Sequence, residues 1–201
     1  MAGHFEPLPG GGAAVALDEV EISILRSLAV QLLELIGPGE THGPEAADPL
    51  ARLFAEGPSE PPADPALARL FPDAYGTPGA EQDRQERAYA SEFRRYTEND
   101  LRERKREDAL GVVRSLDALG GGSDAGAGDA VLRLTPEGCK QWLGALNDLR
   151  LTIGARLEIT DEDDGEALFR LPDEDPRKPM VMAYLWLGGL QETLVEALMA
   201  G

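Results

Sequence analysis

The stretch VLRLTPEGCKQWLGALNDLRLTIGARL, residues 131–157, decides the fold. Its short apolar run ends at Leu134, and Thr135 and Pro136 follow as an N-cap and a first helical residue. At about 100° per residue, one stripe of the helix consists of Trp142, Leu146, Leu149 and Ile153. The opposite side carries Gly144, Asn147, Leu151 and Ala155. We therefore expect a helix that reaches about Leu157, packs on both faces and lies at the centre of a bundle.

A similar pattern occurs near the start of the chain. Residues 14–17 are apolar, Asp18 is a good N-cap, and a helical pattern ends at Ile36 before Gly37 and Pro38. The two strand–cap–helix units are either internal repeats or a chance similarity of amphipathic helices. Their short apolar runs, with the region of Phe5, could form a small antiparallel sheet.

Two further helices are expected. One covers residues 80–119, and Thr97 with Asp100 could cap a second helix after a break near Tyr96. The other covers residues 179–199 and is apolar on all sides through Leu190, so its first half should be buried all round. The fold class is therefore mainly α, a single-domain bundle of four or five main helices with a small antiparallel β element.

Proline and glycine interrupt the helices. Residues 37–79 hold nine prolines and six glycines, and residues 120–130 hold five glycines. Such stretches disfavour long helices and favour exposed connections. Within one domain of residues 1–201 we expect mobile segments at residues 37–64, 120–130 and 158–178.

The charge of the chain limits its binding partners. A formal net charge of −18 and a pI near 4.4 repel phosphate backbones and anionic membranes over most of the surface. The longest apolar run, residues 180–190, is about half of the roughly 20 residues that a membrane span needs. No secretory signal is visible, and the single cysteine, Cys139, permits no internal disulfide. These features predict a cytoplasmic protein.

Two short sequences repeat seventeen residues apart. Leu50-Ala51-Arg52-Leu53-Phe54 and Leu67-Ala68-Arg69-Leu70-Phe71 each follow an Asp-Pro pair and are typical of one- or two-turn helices. They either dock on the core of the protein or offer an apolar face to a partner groove. The candidate partner contacts are Leu50, Leu53, Phe54, Leu67, Leu70 and Phe71.

Three blocks of the chain carry a family resemblance: DPALARLFPDAY at 64–75, WLGALNDLRL at 142–151 and LGGLQETL at 187–194. Together they resemble an actinobacterial family of unknown function, often encoded beside the N-degron adaptor of the Clp protease. Some members are labelled transcriptional regulators. The resemblance implies no catalytic residue, and through the gene neighbourhood it implies a role in proteostasis.

Four polar residues lie on apolar helix faces: Glu21, Asp108, Arg150 and Gln191. A carboxylate in a core needs a donor, and Arg150 is the best-placed cation, so we expect the four to form a partly buried cluster. The cluster is either an ion-pair network that fixes helix register or a ligand pocket with an acid–base pair. Glu21 by itself also suits the first turn of a helix, where the dipole favours an acid.

Other chemistry is scarce in the sequence. The histidines, His4 and His42, lie in segments expected to be mobile, and Cys139 shares the apolar face of Trp142. The acidic residues 160–171 fail the calcium-loop pattern, since Thr160 and Leu171 occupy positions that require Asp and Glu. We therefore expect no metal, no cofactor and no enzymatic activity.

These observations favour a regulatory or adaptor-like protein that acts through a protein partner. Two alternatives remain. A transcriptional regulator would use the basic residues 84–106, which have eight basic and five acidic side chains, and above all Arg94, Arg95, Arg102 and Arg104. A small-ligand sensor or enzyme would use the polar cluster.

Overall fold

The structure, a computed structural model, describes residues 3–38, 56–75, 83–120, 130–159, 168 and 170–200. The strands in that part of the chain are β1 (Glu6–Leu8), β2 (Gly12–Leu17) and β3 (Ala130–Leu134). The helices are α1 (Glu19–Ile36), α2 (Pro65–Leu70), α3 (Arg84–Gly120), α4 (Pro136–Arg156) and α5 (Lys178–Ala200). The expected mainly α architecture with a small antiparallel sheet is confirmed. Residues 39–55, 121–129 and 160–167, which fall in the segments expected to be mobile, lie outside the described residues.

The sheet has the order β1-β2-β3, and both pairs are antiparallel. Ala14 of β2 lies opposite Glu6 of β1 and Arg133 of β3. Alternate residues point to the helices, and those that are buried include Ala13, Val15, Leu17, Leu132 and Leu134. Phe5, just before β1, is also buried and packs edge-on against Trp142 with ring centroids 5.9 Å apart. The short apolar runs thus form one sheet that covers the central helix.

Helix α4 is the central helix, as the sequence predicts. It contacts α1, α2, α3, α5 and the strands β2 and β3. Thr135 caps its start by accepting the amide of Gly138 at 3.1 Å. Trp142 is fully buried, and its indole nitrogen donates to the hydroxyl of Ser115 on α3 at 3.0 Å. A single buried side chain therefore joins α4, α3 and the segment before β1.

Helix α1 begins and ends where the sequence indicates. Asp18 and Glu21 form a reciprocal capping box: the Asp18 side chain accepts from the Glu21 amide, and the Glu21 side chain accepts from the Asp18 amide. At the other end, Gly37 has a φ of 86°. That left-handed conformation suits glycine and ends the helix.

Two expectations about helices are wrong. Helix α3 runs unbroken through Tyr96, because the Thr97 hydroxyl donates back to the Phe93 carbonyl at 2.9 Å instead of capping a new helix. The first half of α5 is buried on one side only: Val181, Leu187 and Leu190 are buried, whereas Met180, Met182 and Leu185 are exposed. In the described part of the chain, α5 packs on α4, β1 and β2 and has no helix on its outer side. None of the helices in the described ranges has the length and hydropathy to span a bilayer.

The start of β2 leaves no room for a side chain at Gly12. A Cβ built there would press into the carbonyl oxygen of Leu134 on β3, a backbone atom held by the sheet. We expect Gly12→Ala to lower the free energy of unfolding by about 1–3 kcal/mol, measured by urea denaturation. The matched control is Gly189→Ala on α5, where nothing lies within 4 Å and alanine should stabilise the helix by roughly 0.5–1 kcal/mol. Equal stabilities of the two variants would contradict this description of the β2–β3 contact.

Candidate functional site

The four polar residues predicted to form one cluster are not brought together. Glu21 completes the exposed capping box of α1, so its partner is local. Asp108 on α3 packs against Gly144 of α4. Arg150 turns to the other neighbour of α4 and donates to the Gln191 side chain on α5 at 2.6 Å. Only the Arg150–Gln191 pair of the predicted cluster therefore exists.

An acidic pair lies where α3 crosses α4. Asp148 is buried, and its carboxylate is 2.5 Å from the ammonium group of Lys105. Burial raises the pKa of Asp148, while the hydrogen bond from Lys105 opposes that rise. Burial also raises the pKa of Asp108 to about 6, with a further rise from the charge of Asp148 and an opposing effect of Arg104. The close packing on Gly144 makes this crossing a structural contact with one proton-sensitive carboxyl group.

Two of the four arginines predicted as a basic face, Arg94 and Arg102, point into the protein. Arg94 is buried and donates to Glu98, to the Phe71 carbonyl at 3.0 Å and to Asp73 at 2.8 Å. Arg102 donates to Glu98 at 2.9 Å and to the Ile36 carbonyl, the last residue of α1, at 2.7 Å. Its guanidinium carbon also lies 4.3 Å from the centre of the Phe71 ring.

The other two predicted arginines do not restore a basic face. Arg95 pairs with Glu56, and its backbone carbonyl accepts from Gly57 at 2.7 Å. Arg94 and Arg102 therefore do not join an open basic face as predicted, because they bind the end of α1 and residues 71–73. Of the four predicted arginines, Arg104 stays exposed.

Above this network lies an exposed group of rings that we call the aromatic surface: Tyr75, Tyr89, Phe93 and Tyr96. In that order, the exposed fractions of the four residues are 45%, 50%, 45% and 64%. The Tyr75 ring is 6.0 Å from that of Tyr89 and 5.9 Å from that of Phe93, and the latter pair is edge-on. None of these residues is among the sites predicted from the sequence, although the spacing of 89, 93 and 96 puts them on one face of a helix.

A small cavity of about 60 Å³ opens beside the aromatic surface. Its apolar walls come from Phe71, Pro72, Ala74, Ala90, Phe93 and Leu101. Arg94, Glu98, Thr97 and Asp73 supply polar walls. Since one water needs roughly 10–15 Å³ on this measure, the cavity holds a few water molecules, which suits one short side chain and not a metabolite. We regard the aromatic surface and this cavity as the candidate functional site.

The predicted partner contacts divide into two groups. Leu70 and Phe71 are buried in the core, and Leu67 packs against it. Asp64 caps this helix, α2, by accepting the amides of Ala66 and Leu67 at 2.9 and 3.1 Å. The second repeat therefore docks on the protein itself, which corrects its use as a partner contact. Leu50, Leu53 and Phe54 lie outside the described residues.

The described residues offer few groups for catalysis or metal binding. No group of three or more histidine, cysteine or carboxylate side chains with metal-binding geometry occurs in the described ranges. Cys139 is buried, and burial raises the pKa of its thiol even though a backbone hydrogen bond involving Ala13 lowers it. A buried thiol with a raised pKa is a poor nucleophile.

Comparisons with known proteins find a matching family and several curated relatives. The profile of DUF2017, a domain of unknown function, matches residues 2–198. The chain is 32% identical over 186 residues to the putative oxidative stress regulator AosR of Mycobacterium leprae, covering 90% of this chain and 79% of that protein. It is 30% identical to the oxidative stress regulators AosR of Mycobacterium bovis and Mycobacterium tuberculosis, covering 89% of this chain and 78% of each relative. No solved structure matches significantly.

The raised pKa of Asp108 predicts a pH effect on stability. The unfolded carboxyl group ionises near 3.8 and the folded one near 6, so the folded state binds more protons between these values. The contribution of Asp108 to stability is therefore lost as pH rises from about 4 to about 6. We expect Asp108→Asn to gain stability relative to the unsubstituted protein across that window and to keep the gain above it, as measured by urea denaturation at several pH values.

Asp117→Asn is the control on the same helix. The hydrogen bond from Arg26 lowers the pKa of Asp117, so its contribution is present at neutral pH and is lost on acidification. The free energy of unfolding of Asp117→Asn should therefore fall below that of the unsubstituted protein as the pH rises from acidic to neutral values. The same pH trend in both variants would disprove the assignment of Asp108.

Proposed function

The chain belongs to the DUF2017 family, and from that premise we propose that it is a non-enzymatic, cytosolic regulatory protein of the oxidative stress response that works through protein contacts. The oxidative stress role is carried over from the names of its relatives. The protein-contact mechanism rests on the aromatic surface of this chain. An adaptor-like link to proteostasis is a finer form of the same proposal, and it rests only on the family resemblance.

The aromatic surface is the observation that carries the proposal. Exposed tyrosine and phenylalanine side chains lose little conformational entropy on binding and are enriched at the centres of protein interfaces. Three of the four tyrosines of the chain lie in this surface. The cavity beside it suits one apolar anchor side chain of a partner, and Thr97 at the cavity wall brings a polar group to its rim.

The network below the aromatic surface fixes its shape. Glu98 is 3% exposed and Arg94 is 5% exposed, and the two side chains pair with each other. Because Arg94 also binds the Phe71 carbonyl and Asp73, the chain segment that leads to Tyr75 is tied to α3. A pre-organised surface avoids an ordering cost on binding, which favours a docking role.

Binding to nucleic acid is the alternative, and the positions of the arginines do not support it. Phosphate groups would have to replace Glu98, Asp73 or backbone carbonyls as acceptors for Arg94 and Arg102. That exchange gives up charged hydrogen bonds already made inside the protein. We therefore propose that regulation by this chain does not use direct contact of these arginines with nucleic acid.

A pair of substitutions on the aromatic surface tests the proposal. We expect Tyr89→Ser with Phe93→Ser to abolish the transcript changes that follow peroxide treatment of the host, when the variant replaces the natural copy. The matched control is Val20→Ser with Ile24→Ser on α1, which has the same spacing and exposures of 66% and 41%. Both pairs should change the free energy of unfolding little, since surface substitutions usually cost within about 0.5 kcal/mol each.

A photo-crosslinking residue in place of Tyr96 gives the direct readout. It should yield one dominant protein adduct that is lost in the Tyr89/Phe93 variant and kept in the Val20/Ile24 variant. The proposal fails if the two variants respond to peroxide alike, or if the adduct persists without the two aromatic side chains.

The buried state of Cys139 predicts that oxidants do not act through this thiol. Iodoacetamide should label Cys139 only as fast as the protein opens, and rapidly in urea. Peroxide should add oxygen first to the exposed methionines of α5, which are Met180, Met182 and Met199. Peptide mapping by mass spectrometry measures both. Rapid labelling of Cys139 in the folded protein would show that the thiol is available after all.

A further inference from the structure

Arg150 is an interior cation without an acidic partner. It lies half-buried between α4 and α5, and one terminal nitrogen donates to the Gln191 amide oxygen at 2.6 Å. Its guanidinium carbon is 5.1 Å from the centre of the Tyr184 ring. Its Nε is buried and has no hydrogen-bond acceptor. Among the described residues, no carboxylate forms an ion pair with it.

Three other interior cations of the described chain have acidic partners. Lys105 pairs with Asp148, and Arg94 and Arg102 pair with Glu98. Acids are not scarce, since the chain has 37 of them against 19 lysines and arginines. A partly desolvated guanidinium is stabilised more by a hydrogen bond to a charged acceptor than by one to a neutral acceptor. Arg106 is also half-buried without a carboxylate partner, but it donates to the carbonyls of Leu33 and Gly37. Arg150 differs in lacking a carboxylate partner among the described residues while its buried Nε has no acceptor either.

One face of α5 lies against the Arg150 guanidinium. Tyr184, Gly188 and Gln191 follow at spacings of four and three residues, so they share one face of α5. A Cβ on Gly188 would lie 3.5 Å from Nε of Arg150, in ordinary contact, and one on Gly189 would meet nothing within 4 Å. Gly188 thus keeps a bulky side chain away from the guanidinium, whereas Gly189 does not face it.

We propose that Arg150, with Tyr184 and Gln191, forms a binding site for a carboxylate group. One guanidinium supplies one positive charge and a planar fork of donors, which matches a singly charged planar carboxylate. Gln191 uses its amide oxygen for Arg150, so its NH₂ group is the second donor to the ligand. A phosphate dianion would need more positive charge than the described residues offer around Arg150. This site is separate from the aromatic surface and does not depend on the proposed function.

Side-chain NMR of Arg150 tests the site directly. The Nε–Hε signal is assigned by its loss in Arg150→Lys, and it is followed during titration with acetate, inorganic phosphate and chloride at equal ionic strength and pH 7. A tripeptide with a free C-terminus and its amidated form distinguish a peptide carboxylate from a small organic acid. We expect a saturable shift with acetate or with the free peptide, and none with chloride or the amidated peptide.

Two variants complete the test. Gln191→Leu should weaken carboxylate binding about tenfold, the loss expected for one hydrogen bond to a charged group. Arg104→Gln, an exposed arginine on α3, should leave binding unchanged. An unsaturable drift that is the same for every anion would overturn the site. Phosphate binding as tight as that of carboxylate, or binding unaffected by Gln191→Leu, would overturn its assignment to carboxylates.

Discussion

The buried carboxylate of Glu98 holds one half of this protein together. It accepts from Arg94 and from Arg102, which stand four residues before and after it on α3. Arg94 extends the contact to residues 71–73, and Arg102 extends it to the end of α1. Because buried charges are tolerated only when they are paired and hydrogen-bonded, these three side chains fix three chain segments at once. The aromatic surface lies on the outer side of that network.

Several arginines of α3 bind other segments of the fold. Arg106, like Arg102, donates to carbonyls near the C-terminus of α1, those of Leu33 and Gly37. Cations at that end of a helix satisfy its free carbonyls and complement its dipole. Arg94, Arg102 and Arg106 are therefore engaged within the fold, while Arg84, Arg87 and Arg104 are exposed. We base the proposed protein partner on the exposed rings of the aromatic surface.

Helix caps and turn residues in the sequence predict the ends of the helices well. They predict the candidate functional site poorly. Asp18, Thr135, Pro136 and Gly37 act on neighbouring residues, so the ends of α1 and the start of α4 could be found without a structure. Helical periodicity also identifies α4 as central. The polar cluster failed because periodicity gives the face of a residue but not the helix opposite to it: Asp108 faces Gly144, whereas Arg150 faces α5. The exposure of Phe93 likewise depends on which segments cover α3, and that is a long-range property.

Hydrogen exchange of Glu98→Gln measures the role of the network most directly. Loss of the negative charge leaves Arg94 and Arg102 without their shared partner, so amides of residues 65–75 and 84–100 should exchange faster than in the unsubstituted protein. Amides of the central helix α4 at residues 142–153 should keep their protection, since Trp142 and the sheet hold them. Unchanged exchange in residues 65–75 and 84–100, or an equal loss of protection in α4, would contradict the claim that Glu98 organises the aromatic surface.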